Sequence, residues 1–118
     1  MAGALGEFEQ LILLAVVGLG EGAYGVAIRR AIEERTARSV SAGAVYTTLG
    51  RLEKRGLLSS RLGETAPERS GQRRRYYRLL PSGAVAVRRA YEDVRKMARG
   101  GVLNEVGRLA AEAEGDAP

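Results

Sequence analysis

Phe8, Leu11, Ile12, Ala15, Val16 and Leu19 recur at helical spacing, while Leu13, Leu14 and Val17 fill most of the remaining circumference. The pattern predicts a first helix that is apolar nearly all round and has to be wrapped. Its own domain is the favoured wrapping, with a second subunit helping. Gly18, Gly20 and Gly22 break the pattern, and Tyr24, Ala27, Ile28, Ala31 and Ile32 resume it on a cleaner amphipathic helix. On the outer side of that helix, Arg29 with Glu33 and Arg30 with Glu34 are i,i+4 pairs, read as solvation and helix support.

A short polar connection over residues 35–40 leads into SAGAVYTTLGRLEKRGLL, residues 41–58. Val45, Leu49 and Leu52 would face a core, whereas Gly43, Tyr46, Thr47, Gly50, Arg51 and Lys54 form an opposite stripe without an acid. Ser41 suits an N-cap, Gly56 a left-handed C-terminal cap, and Leu57 the apolar contact that accompanies it. Ala44 stands where a capping box needs Glu, so the start is free to slip by a residue. Basic exposed faces are common on ordinary surface helices. Two glycines in such a face are not, because each weakens a helix by roughly 1 kcal/mol relative to Ala. Close approach of another molecule would explain them, and at Gly43 the first-turn N–H groups and the positive end of the helix dipole would suit a phosphate. Two helices so closely joined, the second capped and basic, predict a helix-turn-helix.

Residues 57–62 and 73–80 read as short antiparallel strands, the second with Tyr77 and Leu79 on one face. The intervening GETAPERSGQ, residues 63–72, is too long for a tight turn, so the hairpin is a wing. Arg61, Arg69, Arg73, Arg74, Arg75 and Arg78 crowd it. Cationic residues on an edge strand guard against aggregation, but three in succession exceed that need. Alternation puts Arg73 and Arg75 on one side and Arg74 on the other with Tyr76 and Arg78. Pro81 then suits a helix start, and Ala84, Val87, Tyr91, Val94 and Ala98 follow at spacings of three and four, a seam for a dimerisation arm. Gly100 and Gly101 end it, and residues 102–111 form one more short helix with Leu103, Val106 and Ala110 to bury.

The expected fold class is therefore mainly α with a small two-stranded β-wing: a winged helix-turn-helix plus a C-terminal dimerisation helix. Residues 1–80 form the DNA-binding region, 81–111 the dimerisation helix and short C-terminal helix, and 112–118 a frayed acidic tail.

Charge sharpens this picture. The 118 residues carry a net +5, but residues 1–34 hold two basic and five acidic side chains, residues 35–99 sixteen and five, and residues 100–118 one and four. A cationic middle attracts phosphates by counterion release and long-range steering. Chemistry of other kinds is poorly supplied. Without Cys or His the chain lacks thiolate ligands and the commonest metal ligand and general base. Glu33 with Glu34, and Glu92 with Asp93, splay about 100 degrees apart on their helices and form no paired-carboxylate site. No cofactor fingerprint is present, and an enzyme is not expected. The longest apolar run, residues 11–17, is too short to span a bilayer, and Glu7 and Glu9 precede it where a signal sequence would be basic. A cytoplasmic location is expected.

With YGVAI at residues 24–28, SAGAVYTTLGRLEKRGLL, and GQRRRYYRLLPSG at residues 71–83, the chain resembles the PadR family of bacterial transcriptional regulators over roughly residues 5–99. The resemblance implies a homodimeric winged helix-turn-helix protein that occupies a palindromic operator on double-stranded DNA and usually represses. Carried onto this chain, it puts Tyr46 on backbone phosphate and Thr47 and Arg51 in the major groove. Ser41 and Gly43 lie beside them and Lys54 follows, while Arg73, Arg74 and Arg75 contact phosphate or the minor groove. Tyr24 corresponds to a position near the DNA backbone, with core packing beside Leu49 an equal reading. Phe8 and Leu11 join Ala84, Val87, Tyr91, Val94 and Ala98 in the dimer contact.

Leu80 stands where the family commonly has a helix-capping Thr, so either Ser82 helps or the helix begins less well fixed. Some relatives sense flat aromatic compounds between subunits. One subgroup uses a Trp there, and this chain, with no Trp and only Phe8 and five Tyr as aromatics, gives a stacking pocket little support; a small-molecule effector stays open, with Phe8, Leu11 and the seam around Tyr91 to line a small pocket. The rival function is a winged-helix protein-interaction module that uses its basic face on an acidic protein partner.

Overall fold

The computed structural model describes residues 4–65 and 71–115, at residue 64 the backbone only. Along them run α1 (Glu7–Leu19), a 3-10 turn (Gly20–Gly22), α2 (Gly25–Thr36), α3 (Ala42–Lys54), β1 (Leu58–Thr65), β2 (Arg73–Leu79), α4 (Pro81–Met97) and α5 (Val102–Gly115). The architecture is mainly helical with a two-stranded antiparallel wing.

Glu9 starts α1 by reaching back to accept the Gly6 N–H at 2.8 Å, the acidic half of a capping box. Ile12, Leu13 and Val16 then enter the core with Ile28 and Ile32 of α2, Val45, Leu49 and Leu52 of α3, and Leu58 and Tyr77 of the wing. The domain wraps only that side of α1, and Leu14 and Val17 remain exposed.

Arg29 and Glu33 do more than solvate α2. They sit 3.7 Å apart and together clasp Val40 in the turn before α3: Arg29 Nε donates to the Val40 carbonyl at 2.7 Å, and the Val40 N–H donates to Glu33 at 3.0 Å. A surface pair of this kind contributes little by its charges alone. Its value lies in satisfying the backbone of a turn that has no ladder of its own. Ala37, at φ +56, takes the left-handed cap of α2 that favours glycine.

The strands pair from Leu58↔Leu79 to Leu62↔Arg75, and a bulge between Leu62 and Thr65 shifts the register so that Thr65 meets Arg73. β1 thus runs three residues past its expected end, and the central part of the expected loop, with Arg69, lies outside the described residues. The segment before α2 joins the sheet: the Tyr77 N–H donates to the Ala23 carbonyl at 2.8 Å, and Tyr24 bridges Tyr76.

α4 opens with Pro81 at its first turn and no side-chain cap from Leu80. Ser82 does not replace that cap. Its hydroxyl donates to the Gly56 carbonyl at 2.5 Å, and the Leu80 N–H donates to the Leu57 carbonyl at 3.0 Å, so the end of α3 is tied to the start of α4. A Cβ on Gly83 would come within 2.3 Å of that Leu57 carbonyl, so the approach depends on glycine.

The C-terminal element departs from expectation. α5 continues through Gly115, four residues beyond the predicted end, because Arg108 bonds both Glu105 and Glu112 on one helical face. Residues 112–115 are therefore helix rather than frayed tail, and 116–118 lie outside the described residues. Nor does α5 bury Leu103, Val106 or Ala110.

Candidate nucleic-acid interface

α3 is fixed at both ends by its own sequence. Ser41 Oγ accepts the Ala44 N–H at 3.1 Å. At the other end Gly56 takes φ +75, its N–H donates to the Glu53 carbonyl and the Leu57 N–H to the Leu52 carbonyl, each at 3.0 Å, which makes a Schellman cap. Between the caps Val45, Thr48, Leu49 and Leu52 are buried. The opposite stripe of Gly43, Tyr46, Thr47, Gly50, Arg51 and Lys54 faces outward. Open space surrounds the Cα of both Gly43 and Gly50, so no packing within the described residues requires them to be glycine.

The stripe has an acid after all, supplied by another element. The Glu9 carboxylate lies 3.3 Å from Arg55 Nη1 and 3.9 Å from Arg51 Nη1. Arg38, before α3, pairs likewise with Glu7. Helical periodicity cannot reveal such partners, since α1 meets α3 only through the tertiary fold. The one local signal was Glu9 at the capping position of α1.

Tyr46 leans on the first residue of α2. A Cβ on Gly25 would stand 2.5 Å from its ring, so the bare Cα at that position lets the ring lie down. Tyr24, next in line, is half-buried, and it packs on the wing: its ring meets Tyr76 edge-on with centroids 5.6 Å apart. This contact stands beside the two sequence readings of Tyr24 as a third.

The three consecutive arginines have separate partners. Arg73 donates to the carbonyls of Gly63 at 2.7 Å and Leu62 at 3.4 Å, across the bulge. Arg74 lies over the Tyr24 ring, its guanidinium carbon 4.3 Å from the centroid. Arg75 donates to Ser60 Oγ at 3.1 Å, and that hydroxyl donates to Glu53 at 2.6 Å, so a wing arginine is linked to the end of α3. Sequence reading missed Ser60 and Glu53: strand register brings Ser60 to Arg75, and the turn after α3 brings it to Glu53.

The residues expected at a dimer contact divide. Val87 is 8% exposed and belongs to the protomer's own core, brought there by the close approach at Gly83. Phe8 and Leu11 pack partly against that core. Ala84, Tyr91 and Val94 are exposed and Ala98 is half-exposed. Further exposed apolar side chains follow at Met97, 78% exposed, and on α5 at Val102, Leu103, Val106 and Leu109. A groove of about 980 Å³, lined by Leu11, Leu14, Ala31, Ala84 and Tyr91 among others, runs beside α4.

Among the described residues no helix is long and apolar enough to cross a membrane, and no cluster of carboxylates is placed to hold a metal.

Residues 13–89 match the family described as "Transcriptional regulator PadR-like family". No curated protein matches the chain. Among solved structures, a transcriptional regulator from Clostridium thermocellum is 29% identical with a TM-score of 0.63, over 82% of this chain and 89% of that one. A PadR family transcriptional regulator from Eggerthella lenta DSM 2243 is 25% identical with a TM-score of 0.62, over 88% and 86%. A Streptococcus mutans UA159 protein is 26% identical with a TM-score of 0.61, over 88% and 94%.

Proposed function

The chain belongs to the PadR-like family of transcriptional regulators, and from that premise we propose that it is a repressor that occupies a palindromic operator as a homodimer in the cytoplasm. It is a regulator with a DNA-binding winged helix and not an enzyme. The observation that supports DNA contact through α3 is its outer stripe: exposed, cationic, and punctuated by Gly43 and Gly50 with open space around both.

Residues 1–80 act on DNA, and α4 with α5 joins two copies. Phosphates are neutralised by Arg73 to Arg75, Lys54 and the N–H groups behind Ser41 and Gly43, which sets register; Tyr46 adds a hydroxyl to the same strand. Thr47 and Arg51 read base edges. Arg51 takes a guanine through two hydrogen bonds, worth about 1 to 3 kcal/mol of discrimination. Its loose 3.9 Å approach to Glu9 leaves the guanidinium exposed for that exchange.

Titration of promoter DNA and random duplex at several salt concentrations tests the reading. Preference for the promoter is expected, and Arg51→Ala should relax preference at one base pair per half-site by roughly 10- to 100-fold. Equal weakening on every sequence would make Arg51 a phosphate contact. Absence of any sequence preference would favour the protein-interaction module.

A further inference from the structure

On one face of the wing, two arginines bracket a pair of tyrosines in a continuous stack. Glu21, in the 3-10 turn, pairs with Arg61 at 3.5 Å. The Arg61 guanidinium lies 4.8 Å from the Tyr76 centroid, Tyr76 meets the edge of Tyr24, and Tyr24 carries Arg74 at 4.3 Å. The backbone fixes the rungs: Tyr24 bridges Tyr76, and the Ala23 carbonyl accepts the Tyr77 N–H. Glycine fixes a flank, because a Cβ on Gly63 would fall 2.4 Å from the Tyr76 ring. The stack therefore runs from the α1–α2 junction to Arg74, near the start of β2.

Its last rung lies beside the candidate interface. Tyr24 is the N-cap of α2, and the next residue, Gly25, is the one on which Tyr46 of α3 rests. A guanidinium over the face of Tyr24 keeps its charge while the ring holds its plane. An arginine side chain left to itself would lose considerable rotamer freedom on meeting a phosphate, and a seated one loses less.

We propose that Tyr24 is a positioning residue, which seats Arg74 for a DNA phosphate through its ring rather than contacting the backbone through its own hydroxyl. This rests on the reading above of the wing arginines as phosphate contacts. The ring and the hydroxyl can be separated by substitution, which gives the test.

Binding of the full chain to promoter DNA is measured against salt for Arg74→Ala, Tyr24→Phe, Tyr24→Leu and the Tyr24→Leu/Arg74→Ala double variant. Folding is checked by circular dichroism. Arg74→Ala should weaken binding roughly 3- to 10-fold and lower the salt slope by about 1. Tyr24→Phe should stay within about twofold of the parent, Tyr24→Leu should fall as far as Arg74→Ala, and the double variant should fall no further. If Tyr24→Leu does not fold, Tyr24→Met supplies a flexible aliphatic replacement of the ring.

Loss in Tyr24→Phe equal to that in Arg74→Ala would assign the contact to the hydroxyl and overturn the proposal. So would retained affinity in a folded Tyr24→Leu or Tyr24→Met variant, or additive losses in the double variant. No effect of Arg74→Ala on affinity or slope would instead remove the wing contact itself, and the positioning role with it.

Discussion

Single glycines separate folding from binding in this molecule. At Gly83 the obstacle to a side chain is backbone, the Leu57 carbonyl only 2.3 Å from where a methyl group would stand, so neither partner can swing away cheaply. Gly83→Ala should therefore cost about 1 to 3 kcal/mol, seen as a lower urea midpoint with an unchanged m-value. At Gly25 the obstacle is the Tyr46 ring, which can rotate out. Alanine is also the better helix former, by up to about 1 kcal/mol. Gly25→Ala should accordingly keep or raise the melting temperature while binding to promoter DNA falls roughly tenfold, the size of one hydrogen bond to a charged group. Parallel loss of stability and affinity would show that Tyr46 serves packing. The caps at Ser41 and Gly56 were legible in the sequence because each depends on neighbours within a few residues. Glu9 against Arg51 and Arg55, Glu53 through Ser60 to Arg75, and the seating of Arg74 on Tyr24 were not, since those contacts exist only once distant elements meet.

Elements were legible where one periodicity ruled. α2, α3 and α4 announce themselves by apolar spacing and end signals, and the wing by alternation around a polar loop. The boundaries that moved did so for tertiary or electrostatic reasons: the bulge carries β1 to Thr65, and the Arg108 bonds to Glu105 and Glu112 carry α5 to Gly115. Arg108 beside Glu105 holds that carboxyl below its ordinary range. A carboxyl lowered in this way supports α5 at neutral pH, and the support is lost as pH falls through the lowered value. Of the seam expected on α4, Val87 turns inward to the protomer's own core, while Tyr91, Val94 and Met97 are exposed, as are the apolar residues of α5. A charge placed among those exposed residues tests what covers them. The Val94→Asp/Val106→Asp variant should keep the protomer fold, since both residues are more than half exposed, yet sediment as a monomer. A dimer that survives both substitutions would move the interface elsewhere.

At the scale of the whole molecule, charge and exposed apolar surface are segregated. Eleven basic against three acidic side chains lie in residues 35–80, the stretch that holds α3 and the wing, against six and five in residues 81–115, where α4 and α5 carry the exposed Tyr91, Val94, Met97, Val102, Leu103, Val106 and Leu109. One surface suits a polyanion and the other suits apolar burial, so a two-fold pairing through α4 and α5 would present two cationic faces to the same duplex. The most direct measurement is a footprint of the protein on the DNA beside its own gene. Symmetric protection is expected of two half-sites whose centres lie about one helical turn, roughly 10 base pairs, or a multiple of it apart, at a stoichiometry of two chains per site. A single asymmetric footprint bound by one chain, or none at low salt, would contradict it.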